Sequence, residues 1–393
     1  MEIIKYIYTM KRVFFCITIA LTFFACEQDS VIEDEVIIIE DQEGPFDVLT
    51  NNELEFITNL LKVEQDTDVM WPSFNGLRDI PIYIITGKNK GIYINPVPSL
   101  DFLNIPIEHD IQGFRDIELY RNDYIHQFAV SHVPPDQLWN WPIYEGRYMF
   151  VLNLNYEVPD NFYYQYKNRN GYFHVAAFWH ELHHVYTFNV DEQYYGIGNY
   201  IQDLDGLFLT SETMPYILLL YDVMIDAYHV SDQESKRKLL EYYVSIYDKL
   251  LELDPTEDNL IRKHGFLLEK REGVARYIEV FGTLNSLDNN TIEDPTHGYQ
   301  NVGENAIFRQ DVIDVYSFRI FYHTGAGAVY LLNSLGYENL DQDFLIPTNT
   351  SYDLARDFVG LSEEELENVL ENAKEEYQWS DIEERAAYLV SLL

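Results

Sequence analysis

The spacing of apolar residues changes character once along the chain. In the first part, short apolar runs with strand-like spacing dominate. IPIYIIT at 80–86 and GIYINPV at 91–97 read as two strands, joined by the turn-forming stretch Gly87-Lys88-Asn89-Lys90-Gly91. A third strand is predicted at Arg147 to Tyr156, RYMFVLNLNY. Asn51 to Leu61 reads as a short helix, and aromatic, proline-containing loops such as Trp139-Asn140-Trp141-Pro142 fill the intervals. From Phe173 onward the spacing becomes helical. Glu212 to Tyr228, Gln233 to Leu253 and Asn259 to Phe281 carry apolar residues three and four apart. Ser362-Glu363-Glu364-Glu365 is a capping box that opens an acidic helix reaching Tyr377. No internal repeat and no low-complexity tract interrupts this order. Strands first and helices after predict an α+β domain over 51–393: a small mixed N-terminal sheet in 51–165, then a mostly helical part in 166–393. A cleft between two such lobes is the expected place for a site.

The N-terminal pattern is different again. Lys11-Arg12 precedes an apolar run, Val13 to Ala25, that is too short to span a bilayer. The run ends in Phe23-Phe24-Ala25-Cys26, which resembles the lipobox of bacterial lipoproteins. That resemblance implies a signal peptide over 1–26, a lipid on Cys26, and a chain anchored at the bacterial outer membrane or cell surface. The acidic residues after Cys26 resemble the surface-export signal of Bacteroidetes-type lipoproteins. An ordinary cleaved secretory signal or a short membrane anchor is the alternative, and Met10 offers a second start. Residues 27–50 read as an acidic tether with one apolar patch, Val36 to Ile39.

Composition narrows the function. A hydrophobic content of 47% allows a sizeable core, and a formal charge of −40 argues against nucleic acid as a partner. The 2 cysteines are Cys16, inside the segment removed, and Cys26. The mature domain therefore has no thiol for catalysis, for a disulfide or for zinc.

The candidate chemistry centres on His180-Glu181-Leu182-His183-His184, within an apolar stretch free of Gly and Pro from Tyr172 to Phe188. On a helix His180 and His184 share a face, so both can ligate one metal ion, with Glu181 beside them as a base. His180 and His183 also share a face, but only the 180/184 pair leaves Glu181 in the base position. A third ligand is needed. Thr187 and Val190 occupy the positions where the collagenase-like pattern has Gly and His, which excludes that pattern. Downstream acids remain: Asp203 in a loop-like stretch, Glu212 near a helix start, Asp222 and Asp226 with His229 on one helix face, and Glu272 in REGVARYIE. Gly273 inside that predicted helix costs about 1 kcal/mol relative to Ala, and close approach of another helix would account for it.

HELHH, then REGVARYIE, then Phe321 to Leu332 (FYHTGAGAVYLL) together resemble gluzincin metallopeptidases over residues 170–335. The resemblance implies a zincin-like fold, Zn²⁺ held by His180, His184 and Glu272, Glu181 as general base, and Tyr322 near the substrate oxyanion. His323, its neighbour, is a second candidate for that donor. The spacing to Glu272 is longer than in the best-known members, which leaves Asp203 as a rival ligand. Glu279, two turns beyond Glu272 on the same face, is a candidate to orient a ligand histidine. A peptide or protein substrate and a monomeric state are expected. The competing class is a surface lipoprotein, or an inactive zincin, that captures glycans or peptides on aromatic clusters such as Trp139/Trp141/Tyr144 and Trp71/Phe74.

Overall fold

Thr50 caps the first helix, α1 (Asn51–Met70), through a capping box with Glu53. The computed structural model describes residues 47–109, 111, 117–157, 170–190, 206–287, 306 and 308–393. The expectations for residues 1–26, the acidic tether up to residue 46 and Asp203 fall outside them. Helix α1 runs past the predicted Leu61 because Val63, Glu64 and Thr67 keep burying the same face.

The predicted hairpin forms β1 (Ile82–Gly87) and β2 (Lys90–Ile94), paired antiparallel with Ile82 opposite Ile94 and Ile84 opposite Ile92. β3 (Ile105–Pro106) and β4 (Leu119–Arg121) extend the sheet on the β2 side. Helix α2 (Asp123–His132) follows, then β5 (Trp139–Asn140) and the small ribbon β6 (Ile143–Tyr144) with β7 (Arg147–Tyr148). β8 (Phe150–Asn153) returns parallel to β1, so the six-stranded sheet has the order β3-β4-β2-β1-β8-β5 and is mixed, as expected.

Both faces of this sheet are covered. Ile82, Ile84, Ile92, Ile94, Phe150 and Leu152 face the main core, while Tyr83, Ile85, Tyr93 and Val151 face a smaller core with Ile125 and Ala129 of α2. Period-two alternation sends successive side chains to opposite layers, which is why these strands read as nearly continuous apolar runs. Arg121 of β4 locks α1 to the sheet: its guanidinium donates to both oxygens of Glu53, at 2.9 and 3.0 Å, and to the carbonyl of Gly91.

The motif helix α3 (Asn170–Val190) lies on the main-core face, with Phe178 edge-on to Phe150 of β8 and to Phe56 of α1. The rest of the described chain is helical: α4 (Met214–Ala227), α5 (Gln233–Leu253), α6 (residues 260–286), α7 (residues 309–334), α8 (Leu340–Leu345), α9 (Ser351–Val359), α10 (Glu363–Glu376) and α11 (Trp379–Val390). The capping box at Ser362 opens α10, and α5 has the predicted bounds. α6 differs from a regular helix. Three π turns, Ile261–Gly265, Glu269–Gly273 and Ile278–Gly282, alternate along it with α-helical segments. Among the described residues no helix is long and apolar enough to cross a membrane.

Candidate metal centre

Helix α3 turns its apolar residues Phe178, Trp179, Leu182 and Val185 into the core. The opposite face carries His180 and His184 towards α6. One residue of α6 closes the group: His180, His184 and Glu272 bring one donor atom each within 4.8 Å of one another. Glu272 Oε2 lies 3.0 Å from His184 Nε2 and 3.4 Å from His180 Nε2, and the two Nε2 atoms are 3.1 Å apart. A tetrahedral zinc ion with bonds of about 2.0–2.1 Å sets its ligand atoms about 3.3 Å apart. The donor types and spacing of the cluster are compatible with a bound metal ion.

His180 is held from both sides. Its Nδ1 is 3.0 Å from Glu279 Oε2, and Arg276 donates to the other Glu279 oxygen at 2.5 Å. Glu272 and Glu279 sit in successive π turns of α6 and reach the two nitrogens of one imidazole. The π turns also fit the backbone contact behind the site. A Cβ on Gly273 would stand 2.7 Å from Gly325 Cα of α7, and one on Gly325 would stand 2.8 Å from Glu269 Cα. The glycine that looks out of place in the sequence is where α6 and α7 touch backbone to backbone.

Electrostatics give the site a place for positive charge. Burial alone would lower the pKa of His180, but its hydrogen bonds to Glu272 and Glu279 outweigh this and push it up to about 10. Glu272 is held well below the usual carboxylate range: burial opposes ionisation, and the two histidines overcome it. Glu279 is drawn down to about 2, mostly by Arg276 and His180 against the cost of burial. Burial pushes Glu181 up to about 8, with the Glu272 and Glu279 charges adding to it. Glu181 Oε2 is buried and has no hydrogen-bond partner among the described residues, so this carboxylate has an oxygen to offer a water or a ligand.

The other sequence candidates separate. Tyr322 of α7 lies parallel to His180, ring centroids 6.2 Å apart at 7°. Its neighbour His323 does not come to the cluster. It is 1% exposed and packs against Tyr228 at 4.9 Å and Tyr221 at 5.5 Å. Adjacent helix residues point about 100° apart, so only one of the two can face His180. His183 turns into the core against Phe74, ring centroids 5.3 Å apart. Asp222 pairs with Arg385, and Asp226 accepts a hydrogen bond from the Tyr377 hydroxyl, while Glu212 is exposed beside the start of α4. None of these joins a metal-binding group among the described residues. Arg276, four residues after Glu272, pairs with Glu279.

Two features lay beyond the sequence signals. Trp141, expected as part of an aromatic capture cluster, lies against His184 at 5.7 Å. Glu269 is fully buried at the start of the π turn that holds Glu272, and it accepts hydrogen bonds from Tyr243, Tyr247 and Thr324. Comparison of the chain with protein-family models, with curated proteins and with solved structures finds no match.

Proposed function

We propose that this chain is a zinc-dependent peptidase of gluzincin type on a zincin-like fold, anchored by lipid at the bacterial outer membrane or cell surface, and that it hydrolyses peptide bonds. One observation carries the reading: three donor atoms of zinc-ligand type, from α3 and α6, converge at tetrahedral spacing with an unpartnered glutamate oxygen beside them.

His180, His184 and Glu272 would hold the ion. When bound there, zinc supplies Lewis acidity towards the scissile carbonyl and makes water easier to deprotonate. Glu181 takes the proton of the attacking water. As a carboxylate beside His180 with an unpartnered oxygen, Glu181 can accept that proton and return it to the leaving amine. Glu279 accepts the Nδ1–H of His180, which leaves the Nε2 lone pair for the metal. Tyr322, whose ring stacks beside that of His180, would donate to the oxygen where negative charge develops.

Two measurements on the purified protein test this. Atomic emission should find about one zinc per chain, and a mixed peptide library should be cleaved in a chelator-sensitive way that zinc restores. A protein that binds no zinc, or binds it and cleaves nothing, contradicts the proposal.

A further inference from the structure

Beside the metal cluster runs a strip of four rings that the scheme above does not use. Trp141 meets His184 at 5.7 Å, stacks on Trp139 at 5.2 Å and 19°, and touches Phe188 at 5.7 Å. Phe188 in turn meets Tyr148 at 5.7 Å. All four rings are half-buried. Trp139, Trp141 and Tyr148 pack against the main core with part of each ring left uncovered, whereas Phe178 and Trp179 are fully buried. A partly open aromatic wall touching a polar cluster is the usual make-up of a ligand pocket.

The polar groups bordering the strip are spent on the backbone. Gln137 donates to the Trp139 carbonyl at 2.8 Å. Asn140 donates to the His132 carbonyl and accepts from the Trp141 N–H, both at 2.8 Å. The Asn189 amide is paired with both the N–H and the C=O of Tyr148, at 3.2 Å each. Among the described residues the strip therefore offers apolar faces and few groups that could read sugar hydroxyls. One polar atom is left over: the Trp141 Nε1 is buried and has no acceptor among the described residues. A buried donor without an acceptor costs about 1–3 kcal/mol, which a ligand carbonyl would offset.

We propose that Trp139, Trp141, Phe188 and Tyr148 form the subsite for a large apolar side chain, aromatic foremost, next to the bond cleaved, with the Trp141 indole N–H donating to a main-chain carbonyl of the same peptide. The proposal deepens the peptidase reading and rests on it. The nearby carboxylates Glu181, Glu272 and Glu279 disfavour an acidic side chain at this position.

The test uses the zinc-loaded full chain carrying Glu181→Gln, so that peptides bind without turnover. The blocked pentapeptides acetyl-Ala-Ala-Xaa-Ala-Ala-amide, with Phe, Ala or Glu at the centre, and the neutral sugar maltohexaose are titrated by calorimetry and tryptophan fluorescence. The Phe peptide should bind about tenfold or more tighter than the Ala peptide, with Glu weakest and with a change in tryptophan emission. Trp141→Leu should cut the Phe-over-Ala ratio to about threefold or less at unchanged zinc content, and Trp141→Phe should keep most of it. If Trp141→Leu does not fold, Trp139→Ala on the outermost strand reads the same ratio. A Phe-over-Ala ratio near one, a ratio untouched by these substitutions, or maltohexaose binding that Trp139→Ala removes would each overturn the subsite. Should wild-type protein bind no zinc and cleave nothing while the Phe preference persists, the peptidase reading falls and the subsite stands.

Discussion

His180 makes the clearest demand on the surrounding chain, because each of its nitrogens faces a carboxylate. In the proposed site Glu272 and Glu279 have separable roles, one towards the metal and one towards the ring. Glu279→Gln should weaken zinc binding by about 10–100-fold, measured by competition with a chromophoric chelator. An unchanged affinity would remove Glu279 from the site. Glu181→Gln should keep the zinc and lower kcat by about 10²–10⁴-fold; near-normal turnover would show that another group is the base. His180, Glu181 and His184 were legible because their relation is local to one helix. Glu272 was legible only through the company it keeps in REGVARYIE. Which of Tyr322 and His323 lies beside His180 was not legible, because it depends on how α7 is rotated about its own axis; Tyr322 stacks on His180 and His323 packs on Tyr228.

The element that positions the acid is α6. Its π turns draw Glu269, Lys270 and Glu272 inward together, and a periodicity of apolar residues does not encode such turns. Gly273, by contrast, signalled the close approach that the structure contains. Gly273→Ala should push α6 from α7 and cost zinc affinity as well as thermal stability, because a Cβ would fall 2.7 Å from the Gly325 Cα. A variant that lost stability but kept wild-type zinc affinity would show that the glycine contact does not aim Glu272. The buried Glu269 carries a pH signature. Burial pushes it up from 4.5 to about 7, against the pull of its hydroxyl donors. Folding thus favours its neutral form: its contribution is full below about pH 4.5, declines as pH rises to about 7 and is level above. Glu269→Gln should flatten the dependence of unfolding free energy on pH across that window, measured by urea denaturation; an unchanged slope would contradict it.

At the scale of the molecule, sheet first and helices after was legible from the change in apolar spacing, and the mixed sheet formed from the predicted hairpin and third strand. The short strands β3 to β6 were not, because two- and three-residue strands carry too few positions to show a period, and the predicted third strand splits at Met149 into β7 and β8. The Arg121–Glu53 pair, which ties α1 to the sheet, was equally invisible, since its partners are distant in sequence and meet only when the core closes. Arg121→Met should destabilise the fold by about 3–5 kcal/mol by leaving a buried carboxylate unpaired, measured by urea denaturation. Burial opposes ionisation of Glu53, but Arg121, Thr86 and Thr50 hold its pKa below 4.5. Its contribution is therefore present above that pH and is lost as pH falls further, the opposite sense to Glu269. The most direct test of the whole account is anomalous diffraction at the zinc edge from crystals of the zinc-loaded protein. The account predicts one strong peak about 2.0–2.2 Å from His180 Nε2, His184 Nε2 and a Glu272 oxygen. A peak closed by another acid such as Asp203, or no peak between the two histidines, would contradict it.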